Sequence, residues 1–157
     1  MGRMMTEPSV LFVCLGNICR SPLAEAAFRA EATKAGLEAV ADSAGTADYH
    51  IGEPPDPRAV RTAAQFGIDI AGYRGRQAVA GDFARFTHIL ALDHSNLAGL
   101  RRIAPIGHCA HLSLLLDLVP GREGQAVADP YYGDEQGFLA TWQEVSLAAR
   151  QLVSQLS

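Results

Sequence analysis

Val10-Leu11-Phe12-Val13-Cys14-Leu15-Gly16-Asn17-Ile18-Cys19-Arg20-Ser21-Pro22 changes character twice in one short stretch. Residues 10–14 are an unbroken apolar run rich in β-formers, the pattern of a strand buried on both faces of a parallel sheet. Gly16 breaks the run. Beyond it, Leu23, Ala26, Ala27, Ala30 and Lys34 recur at helical spacing, with Ser21 placed to cap, Pro22 suited to the first turn and Gly36 to end the helix. The loop between strand and helix carries Cys14 and Arg20, with five residues between them. Gly16 and Asn17 tolerate positive φ, so the loop can curl with its N–H groups inward as an anion nest at the positive end of the helix dipole. That field is expected to favour a Cys14 thiolate, and the planar fork of Arg20 suits two phosphoryl oxygens at once. A bare Cys-x5-Arg is more often a packing cysteine near an ordinary arginine. The Gly-Asn pair, the hydroxyl of Ser21 and the strand-loop-helix frame turn the reading toward a nucleophile, a charge clamp and an anion hole.

The same alternation continues outward. A short apolar run at 39–41 ends in the loop Asp42-Ser43-Ala44-Gly45-Thr46, and the Pro-rich segment 52–57 leads into helical spacing over 58–66. His88-Ile89-Leu90-Ala91-Leu92 reads as a third strand, Asp93-His94-Ser95-Asn96 as a helix start, and 110–116 as a possible fourth strand. From Phe138, the residues Trp142, Val145, Ala149, Leu152 and Leu156 form the apolar stripe of a closing helix, with Trp142 as core. Strands alternating with helices predict an α/β fold, a doubly wound parallel sheet with ligands bound at the strand C-termini.

Composition narrows the classes. With 157 residues, 48% of them hydrophobic, and a net charge of −4, the chain is expected to fold as one domain over 1–157, with 1–8 as a flexible N-terminal extension. The acidic balance argues against nucleic acid as a partner. Three cysteines fit a reducing compartment, and neither a membrane span nor a signal peptide is read, so a cytoplasmic location is expected. Met1 to Thr6 fits an acylation pattern so loose that six residues match it often by chance. A metal site from His108, Cys109 and His111 lacks a fourth ligand and is read as packing and surface, with Cys109 in an apolar run.

The stretch from Val13 to Pro22 resembles the loop signature of the low-molecular-weight protein tyrosine phosphatases. The resemblance runs nearly end to end, through 42–46, 52–58, Arg76-Gln77, Ala91-Leu92-Asp93 with Asn96, and Asp129-Pro130-Tyr131-Tyr132-Gly133. It implies a three-layer fold around a four-stranded parallel sheet in the order 2-1-3-4. It further implies Cys14 as nucleophile, Arg20 as phosphate-binding arginine, Asp129 as general acid, and Leu15, Gly16, Asn17, Ile18 and Cys19 as the phosphate loop. Ser21 would donate to the Cys14 sulfur, Asn17 would hold the loop's shape, and Ser43 would support it. Tyr49, Tyr131 and Tyr132 would wall the cleft, and Cys19 would be a redox partner of Cys14. A carboxylic acid at Asp129 suits a leaving phenolate whose pKa is near 10; alone, it reads as a turn residue before Pro130. The resemblance implies a phosphotyrosine protein as substrate, inorganic phosphate as product and inhibitor, no metal or cofactor, and a monomer. Members often have tryptophan at the position of Tyr49 and histidine at that of Tyr73. Protein arginine phosphatases resemble the same pattern with threonine in place of Ile18; arsenate reductases need two further relay cysteines. A non-catalytic phosphotyrosine-binding module would require neither Cys14 nor Asp129.

Overall fold

The structure is a computed structural model that describes residues 7–157; the acylation pattern and most of the expected extension lie outside them. The run at 10–14 becomes β1 (Ser9–Cys14), buried at every position. It lies between β2 (Val40–Gly45) and β3 (His88–Ala91), parallel to both, and β4 (His111–Leu114) completes a sheet in the order β2-β1-β3-β4. Because successive side chains of a strand point to opposite faces, Val10, Phe12 and Cys14 enter one core while Leu11 and Val13 enter the other. Continuous hydrophobicity in β1 is thus the signature of two buried faces.

The first core packs α1 (Arg20–Ala35), α2 (Pro57–Gln65) and the closing helix, which follows α3 (Asp82–Arg85) and α4 (His94–Ile103) as α5 (Glu135–Leu156). Phe83 of α3 and Leu97 and Leu100 of α4 cover the second face. Three layers result. Asp56 caps α2, Asp93 caps α4 and Asp134 caps α5, each carboxylate accepting a backbone N–H of the first turn. All strand-to-helix loops emerge at one end of the sheet, beside Cys14, Gly45 and Ala91.

Some boundaries differ from the sequence reading. Cys19, not Ser21, is the N-cap of α1, and Ser21 lies inside the helix, fully buried. Residues 42–45, read as loop, belong to β2, since pairing with the buried β1 supplies partners that local propensity does not anticipate. The fourth strand stops at Leu114 and turns into a 3₁₀ segment at Leu115–Leu118. The closing helix starts at Glu135, ahead of its apolar stripe. Cys109 is exposed rather than part of an apolar run. At the other end of the chain, the Pro8 carbonyl accepts from the Val40 N–H at 2.8 Å, so the sheet engages the chain ahead of β1.

Phe28 of α1 is 1% exposed and packs on Phe12 within the first core, ring centres 5.8 Å apart. Phe28→Ala is expected to destabilise the fold by about 3–5 kcal/mol, measured by urea unfolding; a loss under about 1 kcal/mol would contradict this packing.

Candidate active site

Cys14 ends β1 with its side chain 3% exposed, and the chain then turns through residues 15–19 before α1 begins. The carbonyls of this turn are fixed from outside. Cys14 O accepts from Thr46 N (2.9 Å), Leu15 O from Ala47 N (3.0 Å) and Ile18 O from Asp56 N (2.9 Å). In a planar trans peptide the next N–H points the opposite way, so the amides of Leu15, Gly16 and Cys19 are turned to the inside of the loop. Among the described residues, no amide from 15 to 19 donates to another backbone group outside helices and strands. Inward, unpaired amides at a helix N-terminus are an anion nest.

Only one of the two expected residues carries the left-handed turn. Asn17 has φ 61°, whereas Gly16 does not have positive φ. Gly16 serves by its size: an added Cβ would lie 2.9 Å from the His50 ring. Gly45 is tighter still, since a Cβ there would meet the Leu15 carbonyl at 2.6 Å. Asn17 is buried and spends its amide on the loop's surroundings. Nδ2 donates to Ser21 Oγ (2.9 Å) and Ser43 Oγ (3.0 Å), and Oδ1 accepts from the Arg76 N–H (3.0 Å).

Ser21 Oγ lies 3.0 Å from Cys14 Sγ. Because Asn17 already donates to this hydroxyl, its single proton is left for the sulfur or for the Ala44 carbonyl at 3.4 Å. A thiolate would draw it to sulfur. Behind Ser43, the chain of bonds continues: Ser43 Oγ donates to Glu25 Oε1 (2.9 Å), and Glu25 Oε2 accepts from Arg29 Nε (2.9 Å). Burial pushes the Glu25 carboxyl above its ordinary value, against the lowering effect of Ser43 and Arg29.

Arg20 is 3% exposed. Its Nη1 donates to Asp93 Oδ2 (2.8 Å) and the Val127 carbonyl (2.9 Å), which fixes the plane of the guanidinium. The Nε–Nη2 edge remains for a ligand. Asp129 stands across from it, Oδ2 3.7 Å from Arg20 Nη2, while Oδ1 accepts from the Tyr131 N–H at 3.0 Å. Asp134, the other carboxylate of this loop, is spent on capping α5 through the Gly137 N–H (3.2 Å).

These groups share one cavity of about 260 Å³, lined by Cys14, Leu15, Gly16, Ile18, Cys19, Arg20, Tyr49, His50, Asp129, Tyr131 and Tyr132. Every residue expected at the site is here or directly behind it. Tyr131 and Tyr132 meet edge to face at 4.9 Å, and Tyr49 and Tyr132 are 67% and 93% exposed, a rim rather than a core. Cys19 is buried, and burial with the nearby Asp56 carboxylate pushes its thiol strongly up, so it stays protonated. Sequence reasoning missed Asp93 as the clamp of Arg20, His50 as a wall and Glu25 as the end of the polar chain. The signal for Glu25 was present: a carboxylate one turn beyond Ser21, on the buried face of α1.

A family profile described as "Low molecular weight phosphotyrosine protein phosphatase" matches residues 9–157. The chain belongs to that family. It is 46% identical over 138 residues to the low molecular weight phosphotyrosine protein phosphatase of Schizosaccharomyces pombe, covering 86% of this chain and 88% of that one. Its fold is similar to the crystal structure of a protein tyrosine phosphatase from Entamoeba histolytica, at a TM-score of 0.89 and 34% identity, over 95% of this chain and 96% of that one. It is also similar to a Drosophila arginine phosphatase, at a TM-score of 0.87 and 31% identity, over 93% and 96% of the two chains.

The folded protein holds the Glu25 proton more tightly than the unfolded chain. The stability contributed by this carboxyl is therefore full below its ordinary value of 4.5 and is lost as pH rises through the raised value. In Glu25→Gln that group no longer titrates. The stability of the wild type relative to this variant should fall as pH rises from 4.5 and then level off, followed by denaturant unfolding across pH. A difference that stays flat or grows with pH would contradict the assignment.

Proposed function

We propose that the protein is a protein tyrosine phosphatase that hydrolyses phosphotyrosine through a cysteinyl-phosphate intermediate, without a metal. The observation that carries this reading is the convergence on one cavity of Cys14 Sγ, the inward amides, the open edge of Arg20 and Asp129. Cys14 attacks phosphorus in line with the departing tyrosyl oxygen. The loop amides and Arg20 bind the equatorial oxygens, whose charge they neutralise most strongly in the transition state. Asp129 gives its proton to the leaving phenolate, then as carboxylate takes one from water, which attacks phosphorus and releases inorganic phosphate and the Cys14 thiolate. Ser21 donates to that thiolate. Amides and guanidinium supply the positive field that a divalent ion supplies in other phosphatases, which supports independence from metal and cofactor.

Phosphate, as product, fits the same nest and should inhibit. The rim of Tyr49, Tyr131 and Tyr132 supports an aromatic substrate, held between rings. Ile18 lines this cavity as an apolar side chain, which favours phosphotyrosine over the phosphoarginine reading. Cys19 completes the proposal as redox partner. Peroxide would convert the Cys14 thiolate to a sulfenic acid, and the Cys19 thiol would displace its hydroxyl to give a disulfide and water. All three cysteines are free, which suits a cytoplasmic enzyme, and one chain supplies the whole cavity, which suits a monomeric unit. No helix among the described residues is long and apolar enough to cross a membrane.

Phosphotyrosine, phosphoserine and phosphoarginine peptides should be compared with pure protein in chelator. Phosphotyrosine should be hydrolysed at least about 100-fold faster than either other substrate, and Cys14→Ser should be inactive. Preference for phosphoarginine, or a requirement for added Zn²⁺, Mg²⁺ or Mn²⁺, would overturn the reading.

A further inference from the structure

Arg58 lies on α2 outside the cavity, and no step above uses it. Its side chain nevertheless links Asp56, which backs the phosphate loop, to the loop that carries Asp129. Nε and Nη2 donate to the two oxygens of Asp56 at 3.0 and 2.9 Å. On the other side, Nη2 donates to the Tyr131 carbonyl (2.8 Å) and Nη1 to the Gly133 carbonyl (2.9 Å). The guanidinium carbon is 4.6 Å from the centre of the Phe138 ring and 5.6 Å from that of Tyr131. Asp56 in turn donates its backbone N–H to Ile18 in the phosphate loop, at 2.9 Å.

A continuous path therefore runs from the phosphate loop through Asp56 and Arg58 to the backbone just after Asp129. Just before it, Val127 is held by Arg20 (2.9 Å) and by the Leu92 carbonyl (2.8 Å). The segment carrying Asp129 is otherwise held by Val127, by the approach of Asp129 itself to Arg20 (3.7 Å), by Arg61 Nε on Glu135 (2.8 Å) and by the cap of α5. Among the described residues, Arg58 alone binds the Tyr131 and Gly133 carbonyls that directly follow Asp129. The geometry points to Arg58 as a positioning residue that sets the distance of Asp129 from the Cys14 loop; this rests on Asp129 being the general acid.

The demand for arginine follows from the acceptors. Two carboxylate oxygens and two carbonyls lie around one planar fork, and a lysine ammonium cannot serve both sides from a point charge. General acid catalysis is sensitive to such placement because the proton must move within hydrogen-bond reach of the departing oxygen. Arg58 also holds the Asp56 carboxyl below the usual carboxylate range, so the link stays ionised at working pH.

Arg58→Lys and Arg58→Met, each alone and combined with Asp129→Asn, should be assayed for kcat on a tyrosyl phosphate and on a dinitrophenyl phosphate, whose leaving group needs no proton. Each Arg58 variant is expected to lose about tenfold or more on the tyrosyl substrate and under about threefold on the activated one, with little further loss once Asp129 is Asn. Arg58→Lys keeps the charge and aliphatic stem, so it reports on the fork even if Arg58→Met folds poorly. If Asp129→Asn discriminates between the substrates but the Arg58 variants lose equally on both, or add their full loss to Asp129→Asn, the positioning role is overturned alone. If Asp129→Asn does not discriminate, the acid assignment falls and the positioning role with it.

Discussion

Asn17 holds a left-handed backbone, φ 61°, inside a buried loop, and it keeps that conformation because its side-chain amide makes three hydrogen bonds to fixed partners. Asparagine accepts this region more readily than most residues. The turn at Asn17 lets the chain reverse between Cys14 and α1 while its carbonyls face Thr46, Ala47 and Asp56 and its amides face inward. The partners of the side chain are themselves anchored. Arg76, whose N–H binds Asn17 Oδ1, pairs with Asp42 at 3.0 Å and with the buried Asp82 at 3.1 Å. The shape of the anion nest is thus a property of β1, β2, α1 and residues 76–78, which pair with Gly45 at the end of β2, and not of the loop alone.

Charge is handled locally. The protein as a whole carries −4, yet the cavity presents amides, a helix N-terminus and a buried guanidinium. Arg20 would be costly to bury unpaired; Asp93 offsets that cost on Nη1 and leaves the opposite edge for an anion. The same division appears at Asp129, where one oxygen is committed to the Tyr131 N–H and the other faces Arg20. Each of these side chains has one half fixed by structure and one half directed into the cavity, which is how geometry is held in advance of the substrate.

Local pattern made the centre of the fold legible. Residues 10–14 and the spacing after Pro22 announce the strand, the loop and the helix, because the apolar period changes where the chain changes direction. The end of β2 was not legible, since Asp42-Ser43-Ala44-Gly45 has turn composition and becomes strand only through pairing with β1. Ser21 has the residue type of a cap, but its hydroxyl is drawn to Cys14 and Asn17. Of the site, Cys14, Arg20 and the loop between them could be argued from spacing and chemistry. Asp129, Ser43 and the tyrosines came from family resemblance, and Asp93, Glu25 and His50 needed the fold, because their roles depend on contacts between distant segments.

The central claim is that Cys14 takes the phosphoryl group from its substrate. Rapid quenching of Asp129→Asn with a phosphotyrosine peptide, followed by mass spectrometry, tests it directly. The account predicts one phosphate on the fragment containing Cys14, formed with the release of one tyrosyl product and absent in Cys14→Ser. Turnover with no phosphorylated Cys14 fragment, or phosphate trapped on another residue, would contradict it.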